Sequence, residues 1–185
     1  MNPQPKRMSV YLAGKIGKND WRHSVVDGLR GAIDTDYADV PYPTLYINER
    51  RHIRYEGPFF VSDDHGCAHG PSTHGNGTSS PCVSDVGDHD CYRVDVAKRC
   101  RTGIKHSHHV FAWIDDHTAY GTLVELGIAT ALKKQIWIYS PSEFIWDELW
   151  FASHIATDGR VHHAPGPHEA VRDFLDKIDM GARPL

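Results

Sequence analysis

Two patterns alternate along this chain: short unbroken apolar runs, and stretches in which apolar residues recur every three or four positions. Ser9-Val10-Tyr11-Leu12-Ala13 is a β-prone run ended by Gly14, and a polar stretch then leads into Trp21 to Leu29, which reads as a helix. Strand, glycine-bearing loop and helix in that order open an α/β unit. Weaker strands are expected around Thr44–Ile47 and Ile53–Tyr55, inside an irregular stretch rich in aromatics, proline and glycine. Further on, Val96, Cys100, Gly103 and Ile104 recur at helical spacing and predict a helix from about Tyr92 to His106. Val110-Phe111-Ala112-Trp113-Ile114 and Gln135-Ile136-Trp137-Ile138-Tyr139 are continuous runs of the kind found in buried parallel strands. The helix predicted between them carries Val124, Gly127, Ile128 and Ala131 on one face, and this β-α-β order calls for a right-handed crossover. Phe144–Ala152 and Glu169–Ile178 read as two more helices, and the surplus aromatics of the first suggest a subunit contact.

The pattern breaks once. From Ser62 to Asp90 the chain turns to Gly, Ser, His, Asp, Pro and Cys, a stretch that cannot bury a core and reads as a long functional or mobile loop. With 185 residues, the expectation is a single domain over 1–185 carrying a loop insertion at about 62–90. Apolar residues at 40% and charged residues at 24% suit an ordinary globular protein. The net charge is −4 with scattered basic residues, so nothing supplies the positive stripe that a nucleic-acid polymer requires. Met1 to Gly14 contains neither a signal-type apolar core nor a membrane span. The expected setting is therefore cytoplasmic, with no membrane partner and with reduced cysteines.

Ligands of open parallel sheets bind outside the carboxyl ends of the strands. Two such ends are visible, Gly14-Lys15-Ile16-Gly17 and Asp115 to Gly121. The second leads into Gly121-Thr122-Leu123-Val124-Glu125, which puts Glu125 in the first turn of a helix, where the dipole favours the ionised form. An ionised carboxylate facing a crevice can act as a nucleophile or stabilise an oxocarbenium-like centre. Thr122-x-x-Glu125 also has the spacing of a capping box. The loop after Tyr11 lacks a full dinucleotide fingerprint and reads equally well as an ordinary β-α turn.

Fourteen histidines are the compositional anomaly. Asp63-Asp64-His65-Gly66-Cys67-Ala68-His69-Gly70, followed by His74, Cys82, His89 and Cys91, groups soft and imidazole ligands. His65, Cys67, His69 and His74 are candidate ligands of a structural zinc, although their spacing fits no standard finger. The other reading is a loop whose histidines meet substrate or solvent, and no cofactor is required. Cys100 lies on the apolar stripe with Val96 and Ile104 and reads as packing. His106, His108 and His109 read as a helix end and strand start, His162 and His163 as solvated, and Trp146, Trp150 and Phe151 as core or interface.

Tyr11-Leu12-Ala13-Gly14, Gly57-Pro58-Phe59-Phe60, and Asp115 through Gly121-Thr122-x-x-Glu125-Leu126-Gly127-x-Ala129 together resemble the nucleoside 2-deoxyribosyltransferase family over about residues 8 to 140. The resemblance implies a flavodoxin-like, doubly wound α/β fold and a homo-oligomer in which a neighbouring subunit completes the active site. It also implies retaining chemistry. Glu125 would attack the anomeric carbon of a 2-deoxynucleoside and release the base, and a free base or water would resolve the glycosyl-enzyme. Carried over by position, Tyr11 orients Glu125, and Asp115 or Asp116 holds sugar hydroxyls or the base. Gly14, Phe59, Phe60, Gly121 and Thr122 fall in the same motifs and, with Lys15 next to the first of them, are assigned to substrate contact. The sequence departs from the family at Cys100, where an aspartate protonates the leaving base, and at Ala119, where some members carry an acid or a serine. Asp64 or His65 can then supply the acid, since imidazole titrates near neutrality. Two alternatives stay open. One is a hydrolase of nucleoside 5′-monophosphates with Lys15, Lys18 and Ser9 as phosphate donors; the other is a non-catalytic nucleotide-binding module with the His/Cys loop as a metal clip.

Overall fold

The computed structural model describes residues 8–16, 20–29, 44–48, 50–59, 89–142, 147 and 149–181. Along the chain these form β1 (Met8–Gly14), α1 (Arg22–Val25), β2 (Leu45–Ile47), β3 (Arg50–Tyr55), α2 (His89–His106), β4 (His109–Trp113), α3 (Tyr120–Ala131), β5 (Gln135–Ser140), α4 (Trp150–Ser153), β6 (Val161–His163) and α5 (Pro167–Asp179). The six strands make one sheet in the order β2-β3-β1-β4-β5-β6. Only β2 runs antiparallel, on β3, and every other neighbouring pair is parallel. Setting β2 aside, the order is that of a flavodoxin-like doubly wound sheet, whose ligand crevice opens at the switch between β1 and β4. The register sets Gly14 beside Trp113 and Trp113 beside Tyr139, so these strand ends share one edge.

The two faces of the sheet differ in side-chain size. Leu12, Phe111, Trp113, Trp137 and Tyr139 point to one face, where Phe174 and the rest of the α5 stripe cover them. Tyr11, Ala13, Ala112, Ile136 and Ile138 point to the other, against Ile104 of α2 and Leu126 and Ala129 of α3. Side chains as small as these alanines let a helix lie closer to the sheet than bulky aromatics do. Among the described residues no helix is long and apolar enough to cross a membrane.

Several elements depart from the sequence expectation. The helix expected over Trp21 to Leu29 is one turn long. Val26 is extended and bridges Ile47, and Gly28 has a positive φ, so the chain leaves the helical path early. The face of α3 toward the sheet is Thr122, Leu126 and Ala129 rather than Val124, Gly127, Ile128 and Ala131; Val124 is 63% exposed. Of the helix expected over Phe144–Ala152, Asp147 and residues 149–152 are described; a helical turn there runs Trp150–Ser153, and Trp150 and Phe151 are exposed. Strand β6 went unpredicted, and its His162 is not solvated. It stacks on Tyr139 at 4.8 Å between centroids and bonds Asp158 at 2.7 Å. Of the loop expected at 62–90, residues 62–88 lie outside the described residues, and 89 and 90 already belong to α2.

Candidate functional site

The site is assembled by three elements that meet on the face with small residues. Tyr11 is fully buried near the middle of β1, and its hydroxyl donates to Glu125 Oε1 of α3 at 2.5 Å. The Cys100 thiol of α2 packs against the same core cluster and lies beside these two side chains. Cys100 packs as its place on the apolar stripe predicts, and it adjoins the pair as well. It reaches the pair because α2 lies unusually close to the sheet at Gly103, where a Cβ would sit 2.1 Å from the Glu56 carbonyl oxygen and 3.1 Å from the Tyr11 ring.

Glu125 lies in the second turn of α3, since the helix begins at Tyr120 with Ala119 as N-cap. The expected first-turn position is therefore corrected, and so is its consequence. No side-chain cap forms at this end and Thr122 is buried, so the capping box is absent. Instead of a dipole holding the carboxylate ionised, burial lifts Glu125 from the ordinary carboxyl range to about 7, opposed by the Tyr11 hydrogen bond, the charge of Arg22 and the Cys100 hydrogen bond. Burial likewise raises the Tyr11 phenol, with the charge of Glu125 adding to it. The Cys100 thiol is pushed up to about 12 by burial and then by Glu125, so it is a neutral group at any working pH.

At the open edge, Lys15 donates to Asp116 at 2.9 Å and to Thr118 Oγ1 at 3.2 Å. The Thr118 backbone N–H, then Lys15, hold the Asp116 carboxyl well below the usual carboxylate range. Asp115 is exposed and accepts from Trp113 Nε1 at 3.1 Å. Gly14 ends β1 at this edge, Gly121 is exposed at the start of α3, and Phe59 packs edge-on to Tyr55 at 5.3 Å. Asp64, His65, Cys67, His69, His74, Phe60 and Lys18 lie outside the described residues. Ser9, a suggested phosphate donor, sits at the opposite end of β1, where it is buried and its Oγ is 2.7 Å from His108 Nδ1; it cannot serve a ligand at the carboxyl edge.

Sequence reasoning missed Asp20 and Arg22. Arg22 is wholly buried, and its Nη1 donates to both Asp20 oxygens at 2.9 and 2.8 Å. Its Nε donates to the Leu12 carbonyl at 2.8 Å and its Nη2 to the Gly14 carbonyl at 2.9 Å. Gly14 has φ +152, and a Cβ there would lie 2.9 Å from Nη2, so this strand end accepts the guanidinium only as glycine. The available signal was an aspartate two residues before an arginine, six residues beyond the glycine that ends the first strand. Compared with models of known protein families and with curated proteins, the chain matches none.

Proposed function

We propose that this chain transfers a glycosyl group between bases, acting on the N-glycosidic bond of a nucleoside or nucleotide in the manner of the nucleoside 2-deoxyribosyltransferases. The observation that carries the reading is the 2.5 Å hydrogen bond from Tyr11 to Glu125, beneath the ligand edge of a doubly wound sheet. A half-buried carboxyl aimed by a phenol suits attack on an anomeric carbon. Glu125 forms the new C–O bond while the C–N bond breaks, its electron pair leaving with the base. The base takes a proton from Asp64 or His65, the residues assigned that role from sequence. A free acceptor base, or water, then displaces Glu125. Lys15, Asp115 and Asp116 meet the sugar or the base at the open edge, and the exposed Trp150 and Phe151 serve subunit contact in a homo-oligomer. Because Glu125 must be ionised to attack, turnover rises as pH passes through about 7.

One observation favours a second reading, binding without turnover: the group beside Glu125 is a thiol that stays neutral up to about 12, where the resemblance calls for an acid. The test is base release and base exchange from a panel of nucleosides and their 5′-monophosphates, followed by chromatography with and without free acceptor base. Exchange abolished by Glu125→Ala supports the transferase. Release without exchange moves the assignment to a hydrolase. Turnover that survives Glu125→Ala refutes the covalent route, and ligand binding with no turnover in the parent favours the second reading.

A further inference from the structure

The Asp20–Arg22 pair is a costly feature that the chemistry above does not use. Both side chains are out of solvent, at 1% and 0% exposure, and a buried ion pair of this kind usually contributes little net stability. Its geometry is directed at one place. The two carbonyls that Arg22 grips belong to Leu12, the residue after Tyr11, and to Gly14, the last residue of β1. The guanidinium also lies 4.4 Å from the Trp21 ring centroid, which fixes its plane.

We propose that the buried Asp20–Arg22 pair is a positioning device for the Tyr11–Glu125 site, locking the strand end that carries Tyr11 and setting a permanent cation in the interior that Glu125 shares. The inference rests on the reading of Glu125 as the group that must ionise. The groups facing Glu125 are Tyr11 from β1, Cys100 from α2 and, through its charge, Arg22 from α1. Those facing Arg22 are Asp20, Tyr55 and Glu125. Of all these, Arg22 alone carries a positive charge, and that charge joins the Tyr11 hydrogen bond in opposing the burial that drives a proton onto Glu125. Asp20 has a second effect. By neutralising part of that charge it limits how far Arg22 lowers Glu125.

The experiment follows the carboxyl resonance of Glu125 in glutamate-labelled protein, assigned by its disappearance in Glu125→Gln, across a pH series. Arg22→Gln is expected to raise the midpoint by about one unit. Arg22→Lys, which keeps the cation and loses the fork, should stay within about half a unit of the parent. Asp20→Asn leaves the cation uncompensated and should lower the midpoint, a change of opposite sign that lost packing alone would not produce. An unchanged midpoint in folded Arg22→Gln, a shift in Arg22→Lys as large as in Arg22→Gln, or a rise or no change in Asp20→Asn would each overturn the proposal. If Arg22→Gln does not fold, Asp20→Asn decides alone. The midpoint is read without turnover, so failure here is distinct from failure of the base-exchange assay, which tests the function itself.

Discussion

Gly103 is where the approach of α2 to the sheet can be tested most directly. Replacing it with alanine puts a Cβ 2.1 Å from the Glu56 carbonyl oxygen and 3.1 Å from the Tyr11 ring. Ordinary contact needs about 3.5 Å, so helix and strand end must part by more than roughly 1 Å. The obstructing atom is backbone, and the Glu56 N–H is tied to the Val10 carbonyl at 2.8 Å, so it cannot rotate aside as a side chain would. Helix propensity favours alanine by about 1 kcal/mol, and overpacking costs about 1–3 kcal/mol or more where nothing yields. We expect Gly103→Ala to lose about 2 kcal/mol net, or about 4–8 °C in Tm for a chain of this size. Gly127 on α3 supplies the control, because a Cβ there meets nothing within 4 Å, and Gly127→Ala should gain up to about 1 kcal/mol. Urea unfolding of the parent and both variants, followed by circular dichroism, reads the difference. A Gly103→Ala protein at least as stable as the parent would refute the close approach, and with it the reason Cys100 reaches Glu125.

Other outcomes follow from the same geometry. Glu125, lifted to about 7, contributes stability that is present below the ordinary carboxyl range and lost as pH rises through about 7. Urea unfolding should therefore show Glu125→Gln gaining on the parent between about pH 5 and 8, by as much as a few kcal/mol, and parallel stability curves would contradict this. Tyr11→Phe removes the 2.5 Å donor and should move the Glu125 midpoint up by about one unit, read from the carboxyl resonance; a fall would count against the bond. Lys177 donates to Asp173 at 2.5 Å, to His162 at 3.1 Å and to Tyr139 at 3.3 Å, so Lys177→Met should cost about 1–2 kcal/mol at neutral pH. Burial works against the Asp173 carboxylate, but the Lys177 and Tyr139 hydrogen bonds and the nearby charges together outweigh it and lower Asp173, so that loss should shrink as acid protonates it; an equal loss at both pH values would contradict the assignment. Cys100, pushed up to about 12, should react with iodoacetamide near pH 8 far more slowly in the native than in the unfolded protein, as mapped by mass spectrometry, and equal rates would contradict its burial.

Much of the fold was legible because buried parallel strands are unbroken apolar runs, and Val10–Ala13, Val110–Trp113 and Ile136–Tyr139 fall inside β1, β4 and β5 as expected. Strand β6 was not, because Val161-His162-His163 is short and polar and becomes a strand only by pairing with β5. Helix α3 was legible as a helix, yet its orientation was misread. The stripe Val124, Gly127, Ile128 and Ala131 is as apolar as Thr122, Leu126 and Ala129, and periodicity reports a stripe without saying which one meets the sheet.

The candidate site divides along the same line. Sequence by itself determined the α/β class, the two strand ends at Gly14 and Asp115, and the carboxylate of Glu125 near them, since each rests on residues close together in the chain. Only the tertiary structure decided that Cys100 adjoins the Tyr11–Glu125 pair, which the family resemblance already joined, that Arg22 is sealed under Gly14, and that burial lifts Glu125 to about 7 instead of leaving it in the ordinary carboxyl range. Contact between β1 and α3 spans 114 positions, and a carboxyl's ionisation depends on the water removed around it and on charges brought near by the fold, neither of which local sequence specifies.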